Sequence, residues 1–113
     1  MKSMEEMMQA AQQAAEQIQK QMGEMQTKLD SLEVEGRSGG GLVTVRATAK
    51  GRILGVAIDD SLMKLEEKQV LEDLVTAAFN DARDKADRVS AEQMKEMQGS
   101  MGLPPGFNLP GMG

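Results

Sequence analysis

GRSGGGLVTVRATAKGRILGVAI, residues Gly36 to Ile58, reads as a glycine-rich entry followed by two strands joined at a tight turn. From Leu42 to Ala49, apolar Val43, Val45, Ala47 and Ala49 alternate with polar Thr44, Arg46 and Thr48. A period of two sends successive side chains to opposite sheet faces and predicts a half-buried strand. Lys50-Gly51 makes the turn, since glycine reaches positive φ without steric cost. Arg52 to Ile58 then returns with Leu54, Val56 and Ile58 on one face. Upstream, Leu32, Val34 and Gly36 alternate with Glu33 and Glu35, which adds a short first strand and gives three antiparallel strands over residues 33–58. Gly39-Gly40-Gly41 lacks the spacing and the Lys-Ser/Thr of a phosphate-binding loop, and it precedes a strand rather than a helix. A turn or bulge is the reading of that run.

Working outward, residues 1–32 form one long helix. Met4, Met8, Ala11, Ala15, Ile18, Met22, Met25, Leu29 and Leu32 keep a heptad seam, and helix-favouring Glu, Gln, Lys and Ala fill the intervening positions. The seam from Met4 to Leu32 extends about 43 Å, against about 27 Å for a strand from Leu42 to Ala49, so the helix overhangs the sheet. Its e and g positions (Gln12, Ala14, Gln19, Gln21, Gln26) carry little charge apart from Lys28, so the usual partner code of a free-standing zipper is absent. Packing inside a compact dimer is expected instead. On the other side, a second helical part is expected over residues 66–97, with Leu71, Leu74, Val75, Ala78, Phe79, Ala82, Ala86 and Val89 as its apolar stripe. Ser90 with Gln93 resembles a capping box and predicts a helix restarted at Ala91. The expected domain is 1–98, and the Gly/Pro-rich residues 99–113 read as a flexible tail.

The quoted stretch has a formal charge of +4, from Arg37, Arg46, Lys50 and Arg52 with no acid. The rest is acidic, and the whole chain of 113 residues carries −5. A field polarised in this way can draw a polyanion to one surface, although solvent-facing strand positions are commonly Thr, Arg or Lys in any case. Without Cys or His there are no disulfides, thiol nucleophiles, imidazole bases or ordinary zinc sites. With two Phe and no Tyr or Trp, aromatic platforms for single-stranded bases are lacking, while duplex phosphate remains a target. The carboxylate pairs Asp59-Asp60, Glu66-Glu67 and Asp81 with Asp84 read as solvated faces rather than a metal centre. No catalytic, metal or cofactor residue is assigned. No apolar run is long enough for a bilayer and the first residues do not read as a signal peptide, so a cytoplasmic protein is expected.

Three stretches together resemble the YbaB/EbfC family of bacterial nucleoid-associated proteins. They are Leu32-Glu33-Val34-Glu35-Gly36-Arg37-Ser38-Gly39-Gly40-Gly41-Leu42-Val43, closing at Ile58-Asp59; Leu71 to Ala82 with Lys85-Ala86; and Met101-Gly102-Leu103-Pro104-Pro105-Gly106. The resemblance implies an α+β fold with a long N-terminal helix, a three-stranded antiparallel sheet and a C-terminal helix. It also implies a tweezer-like homodimer that binds duplex DNA in the nucleoid without catalysis. Carried over to this chain, it makes Lys20, Lys28, Arg83, Lys85 and Arg88 candidate DNA contacts on and near the helical arms. The residues themselves add Arg37, Arg46, Lys50 and Arg52 on the sheet. With no side-chain group placed to read base edges, low sequence specificity is expected. An alternative is a non-catalytic dimeric scaffold whose Met-rich surface or tail docks onto a replication, recombination or repair protein.

Overall fold

The computed structural model describes residues 3–100, and the tail expected beyond residue 100 lies outside the described residues. Helix α1 spans Met4–Ser31 and begins where the Ser3 hydroxyl accepts a hydrogen bond from the Glu6 N–H at 3.2 Å. That cap satisfies one of the amides a helix start leaves unpaired. Strands β1 (Glu33–Ser38), β2 (Val43–Thr48) and β3 (Ile53–Ile58) form an antiparallel sheet in the order β1-β2-β3. Helix α2 closes the order at Lys68–Ser100, after two short 3-10 turns at Asp60–Leu62 and Leu65–Glu67. The fold is therefore α+β, with helix, sheet and helix in the order the periodicities predict.

The strands end where the backbone demands glycine. Gly39, Gly40 and Gly41 all have positive φ and make a 3-10 turn between β1 and β2, and Gly51 at φ 98° closes the β2–β3 hairpin. Its N–H donates to the Thr48 carbonyl at 2.9 Å.

On the inner sheet face Val43, Val45 and Ala47 are buried against Ala78 and Ala82 of α2 and Leu62 of the connection, with Leu71, Leu74, Val75 and Phe79 packed around them. Burying each valine is worth about 1.5–3 kcal/mol, so this small cluster is the principal hydrophobic contribution. A second cluster joins Met25 and Leu29 of α1 to Met97 of α2 and Ala49 of the hairpin, with Met22, Leu32, Val89 and Met94 at its margin. One helix thus serves two partners in succession: the first half of α2 covers the sheet, and the second half covers α1.

Two sequence expectations need correction. Helix α2 is unbroken through Ser90 and includes Gly99 and Ser100. The capping signal at Ser90 is overridden because Val89, Met94 and Met97 continue the stripe against α1. In β3, an irregularity beside Arg46 and Ala47 pairs Ile53 with Ala47 and Gly55 with Arg46. Ile53 therefore takes the place opposite Ala47 that strict alternation assigns to Leu54, because a bulge inserts one unpaired residue.

Among the described glycines, the tightest approach is at Gly36 of β1. A Cβ there would collide with backbone atoms of α2, namely the Ala78 carbonyl oxygen and the Ala82 amide nitrogen and Cα. Backbone cannot move aside as a flexible side chain can. Gly36→Ala is expected to destabilise the protein by roughly 3 kcal/mol, the upper end of ordinary overpacking. Urea unfolding of the variant beside Gly55→Ala checks this, because the Cβ at Gly55 would meet only the far end of Arg46.

Candidate nucleic-acid interface

The nine cations singled out in the sequence are distributed over three surfaces. On the outer sheet face, Arg37 and Arg46 lie beside acids of β1. Arg37 bonds Glu35 at 2.8 Å, and Arg46 lies 3.9 Å from Glu33 with its guanidinium over Gly55. The acid-free look of residues 36–58 is thereby lost in three dimensions, since antiparallel pairing sets Glu35 opposite Arg46. These pairs are exposed and weak, so both arginines can exchange partners at little cost.

The second surface is α1 and the place where it meets α2. Lys28 reaches Glu96 across the two helices at 4.0 Å. Lys20 lies in a shallow groove on α1 together with Glu16 and Glu24, so its field is largely offset.

The third surface unites residues far apart in sequence. The β2–β3 turn stands against α2 and encloses a cleft of about 340 Å³, with Lys50 and Gly51 on one wall, Asn80, Arg83 and Asp87 on the other, and a floor of small residues such as Ala82 and Ala86. Lys50, Arg52 and Arg83 are exposed and make no ion pair among the described residues, with Arg52 following directly on Gly51. Two cations on facing walls, with the Asn80 amide on the same wall as Arg83, can give a phosphate oxygen charge-assisted hydrogen bonds from several donors, against the opposing charge of Asp87 in the same lining. Asn80 went unnoticed in the sequence, and its only signal there is that it lies three residues before Arg83 on one helix face.

Lys85 is committed otherwise, while Arg88 is exposed and makes no ion pair among the described residues. Lys85 donates to the Glu35 carbonyl at 2.8 Å and lies 3.1 Å from the Asp81 carboxylate, which also accepts the Arg37 backbone N–H at 2.9 Å. Together with the Ser38 hydroxyl donating to the Leu74 carbonyl at 2.5 Å, these bonds pin α2 along β1 and so position Arg83. The Arg37 N–H first, and the Lys85 ammonium second, hold the Asp81 carboxyl below its ordinary value, with a smaller contribution from the charge of Arg88.

A family model described as the YbaB/EbfC DNA-binding family matches residues 1–101. The chain belongs to that family. A nucleoid-associated protein of Nitrobacter hamburgensis is 53% identical over 95 residues, which is 84% of this chain and 90% of that protein. Another from Bradyrhizobium diazoefficiens is 56% identical over 93 residues, 82% of this chain and 88% of that one. Among solved structures, an uncharacterized protein of Helicobacter pylori superposes with a TM-score of 0.64 at 24% identity, covering 80% of this chain and 91% of its own, which supports the fold. Among the described residues, no helix is long and apolar enough to cross a membrane.

In this YbaB/EbfC chain the Asp81 bonds tie helix to strand, and acid should loosen them. A depressed folded-state pKa means that the contribution is whole above the ordinary value near 3.8 and is lost as pH falls through the lowered one. Asp81→Asn removes the titration while keeping the side-chain shape. The advantage in thermal midpoint of the unsubstituted protein over this variant is expected to shrink toward zero as pH falls below the ordinary carboxylate value near 3.8. A constant advantage across that range would show that the charge of Asp81 is irrelevant to docking.

Proposed function

We propose that the protein is a non-catalytic, nucleoid-associated homodimer that binds duplex DNA with low sequence specificity in the bacterial cytoplasm. Membership of a DNA-binding family and the names of its close relatives support the nucleoid role. The observation that carries the contact assignment is the cleft between Lys50 and Arg83. Lys50, Arg52 and Arg83 are the primary phosphate contacts, supported by Asn80. Arg37, Arg46, Lys20, Lys28 and Arg88 add to the field around them, and Lys85 acts by holding α2 in place.

A pair of subunits is favoured by the state of β3. Helix α2 lies over β1 and β2 rather than over β3. Ile53, Leu54, Val56 and Ile58 are left 37–44% exposed along a strand with an unpaired edge. A bare apolar edge without Lys or Pro invites pairing, and a second copy covers it while doubling the cations across a two-fold axis. Val56→Lys is expected to give monomers by sedimentation equilibrium and to weaken DNA binding at least tenfold. A DNA-competent monomer would dismiss the pairing.

Phosphate contacts release counterions, so affinity should fall with salt. About six contacts per dimer correspond to a slope of log K against log salt of roughly −5, with a Kd on the order of micromolar at physiological ionic strength. The combined Lys50→Gln and Arg83→Gln substitutions should lower the slope to about −2 with random duplex and leave the thermal midpoint nearly unchanged. An unaltered slope would move the contacts to the arms, and a salt-independent or absent response would favour a scaffold for other proteins.

A further inference from the structure

Methionine is segregated in this fold. The cluster under the sheet is built from Val, Ala and Leu side chains with Phe79 at its margin, and it contains no methionine. The cluster that joins the two helices has four, with Met25 and Met97 buried in it and Met22 and Met94 packed at its edge. Met4, Met7, Met8 and Met63 are 61–81% exposed and belong to neither cluster. Methionine as a plain gap-filler accounts for the fit at the junction but not for this division between two cores of one small domain.

The hold on α1 is narrow. Of its 28 residues only Met25 and Leu29 are buried. The ion pair of Lys28 with Glu96 beside them is exposed and long at 4.0 Å, so it contributes little. The position of α1 against α2 therefore rests on the methionine cluster. Met25 and Met97 also line an open groove of about 300 Å³ between the helices, together with Gln21 and Gln93. A molecule scarcely larger than water enters such a groove without unfolding the protein.

We propose that the α1–α2 junction is a peroxide-sensitive modification site, in which oxidation of Met25 and Met97 to the sulfoxide releases α1 from α2 while the first half of α2 stays docked on the sheet. The step needs only a hydroperoxide. The thioether sulfur takes the terminal oxygen as the O–O bond breaks, losing two electrons, and the peroxide is reduced to water or an alcohol, with the proton of the transferred hydroxyl ending on the departing oxygen. A flexible apolar side chain becomes a polar one with a strong acceptor. Apolar Leu29, Ala49 and Val89 offer that acceptor no donor, and the Gln21 side-chain oxygen in the same groove is already buried without one. A second unpaired acceptor is costly there, whereas separation of the helices returns it to water. The sheet cluster holds no group that this chemistry alters, so the loosening stays local. The four exposed methionines react first and leave the packing unchanged, because they are solvated already.

Timed exposure of the full-length chain to hydrogen peroxide, followed by peptide mass mapping and amide hydrogen exchange, tests the proposal. Conversion of Met4, Met7, Met8 and Met63 is expected to come first without effect on exchange. Conversion of Met25 and Met97 should follow, and in step with it residues 22–32 should exchange about tenfold faster while Val43–Thr48 keeps its protection. The proposal is overturned if Met25 and Met97 stay unmodified after the exposed four are fully converted, if their conversion leaves residues 22–32 as protected as before, or if β2 loosens to the same degree. Leu for Met at residues 22, 25, 94 and 97 nearly conserves volume and removes the oxidisable sulfur. This fourfold variant should keep its exchange pattern under peroxide although its exposed methionines are still converted, and a response equal to that of the unsubstituted protein would place the effect elsewhere. Neither readout involves DNA, so the result is independent of the proposed function.

Discussion

Helix α2 can settle on the sheet only because β1 has no side chain at Gly36. The backbone of Ala78 and Ala82 occupies the space a Cβ would need, and this close approach sets the height and lateral position of the helix. Three other features follow from it. Val43, Val45 and Ala47 are sealed under small helix residues. Asp81 and Lys85 come within hydrogen-bonding distance of the β1 backbone. Finally, the helix lies over β1 and β2, so β3 keeps an uncovered apolar surface. A packing constraint inside the core thereby leaves β3 as an uncovered apolar edge.

The same placement governs the electrostatics. In an acidic chain, local groupings of charge matter more than the total, because field falls off over about 8–10 Å at ordinary salt. Cross-strand pairing brings Glu33 to Arg46, and the two-residue repeat of β1 puts Glu35 beside Arg37 on the same face, whereas the dock of α2 carries Arg83 to the hairpin turn that bears Lys50. Neutralisation on one sheet face and concentration beside the turn are two results of a single topology. The molecule extends 77 Å along its longest axis, so cations at its two ends are too far apart to act on one another through ordinary salt.

Much of the architecture was legible because it is local. The two-residue alternation of Val43, Val45 and Ala47, the turn at Gly51 and the seam of α1 each express a periodicity that needs no distant partner. The departures came where a distant partner intervened. Ser90 carries a capping signal, yet α1 offers Val89, Met94 and Met97 a surface to pack on and the helix continues. Leu54 follows the alternation on paper, but a bulge shifts its place in the ladder.

The candidate interface divides along the same line. By itself the sequence determined which cations exist, that aromatic stacking and histidine or cysteine chemistry are absent, and that helix, three strands and helix follow one another, because composition and periodicity are properties of the chain. Only the tertiary structure decided which cations lie together. Lys50 and Arg83 are separated by more than thirty positions yet line one cleft, while Arg46 and Lys85, equally basic on paper, are engaged by Glu33 and by Asp81. Coulomb interaction depends on distance in space, and that distance is set by how closely a helix can lie on a glycine.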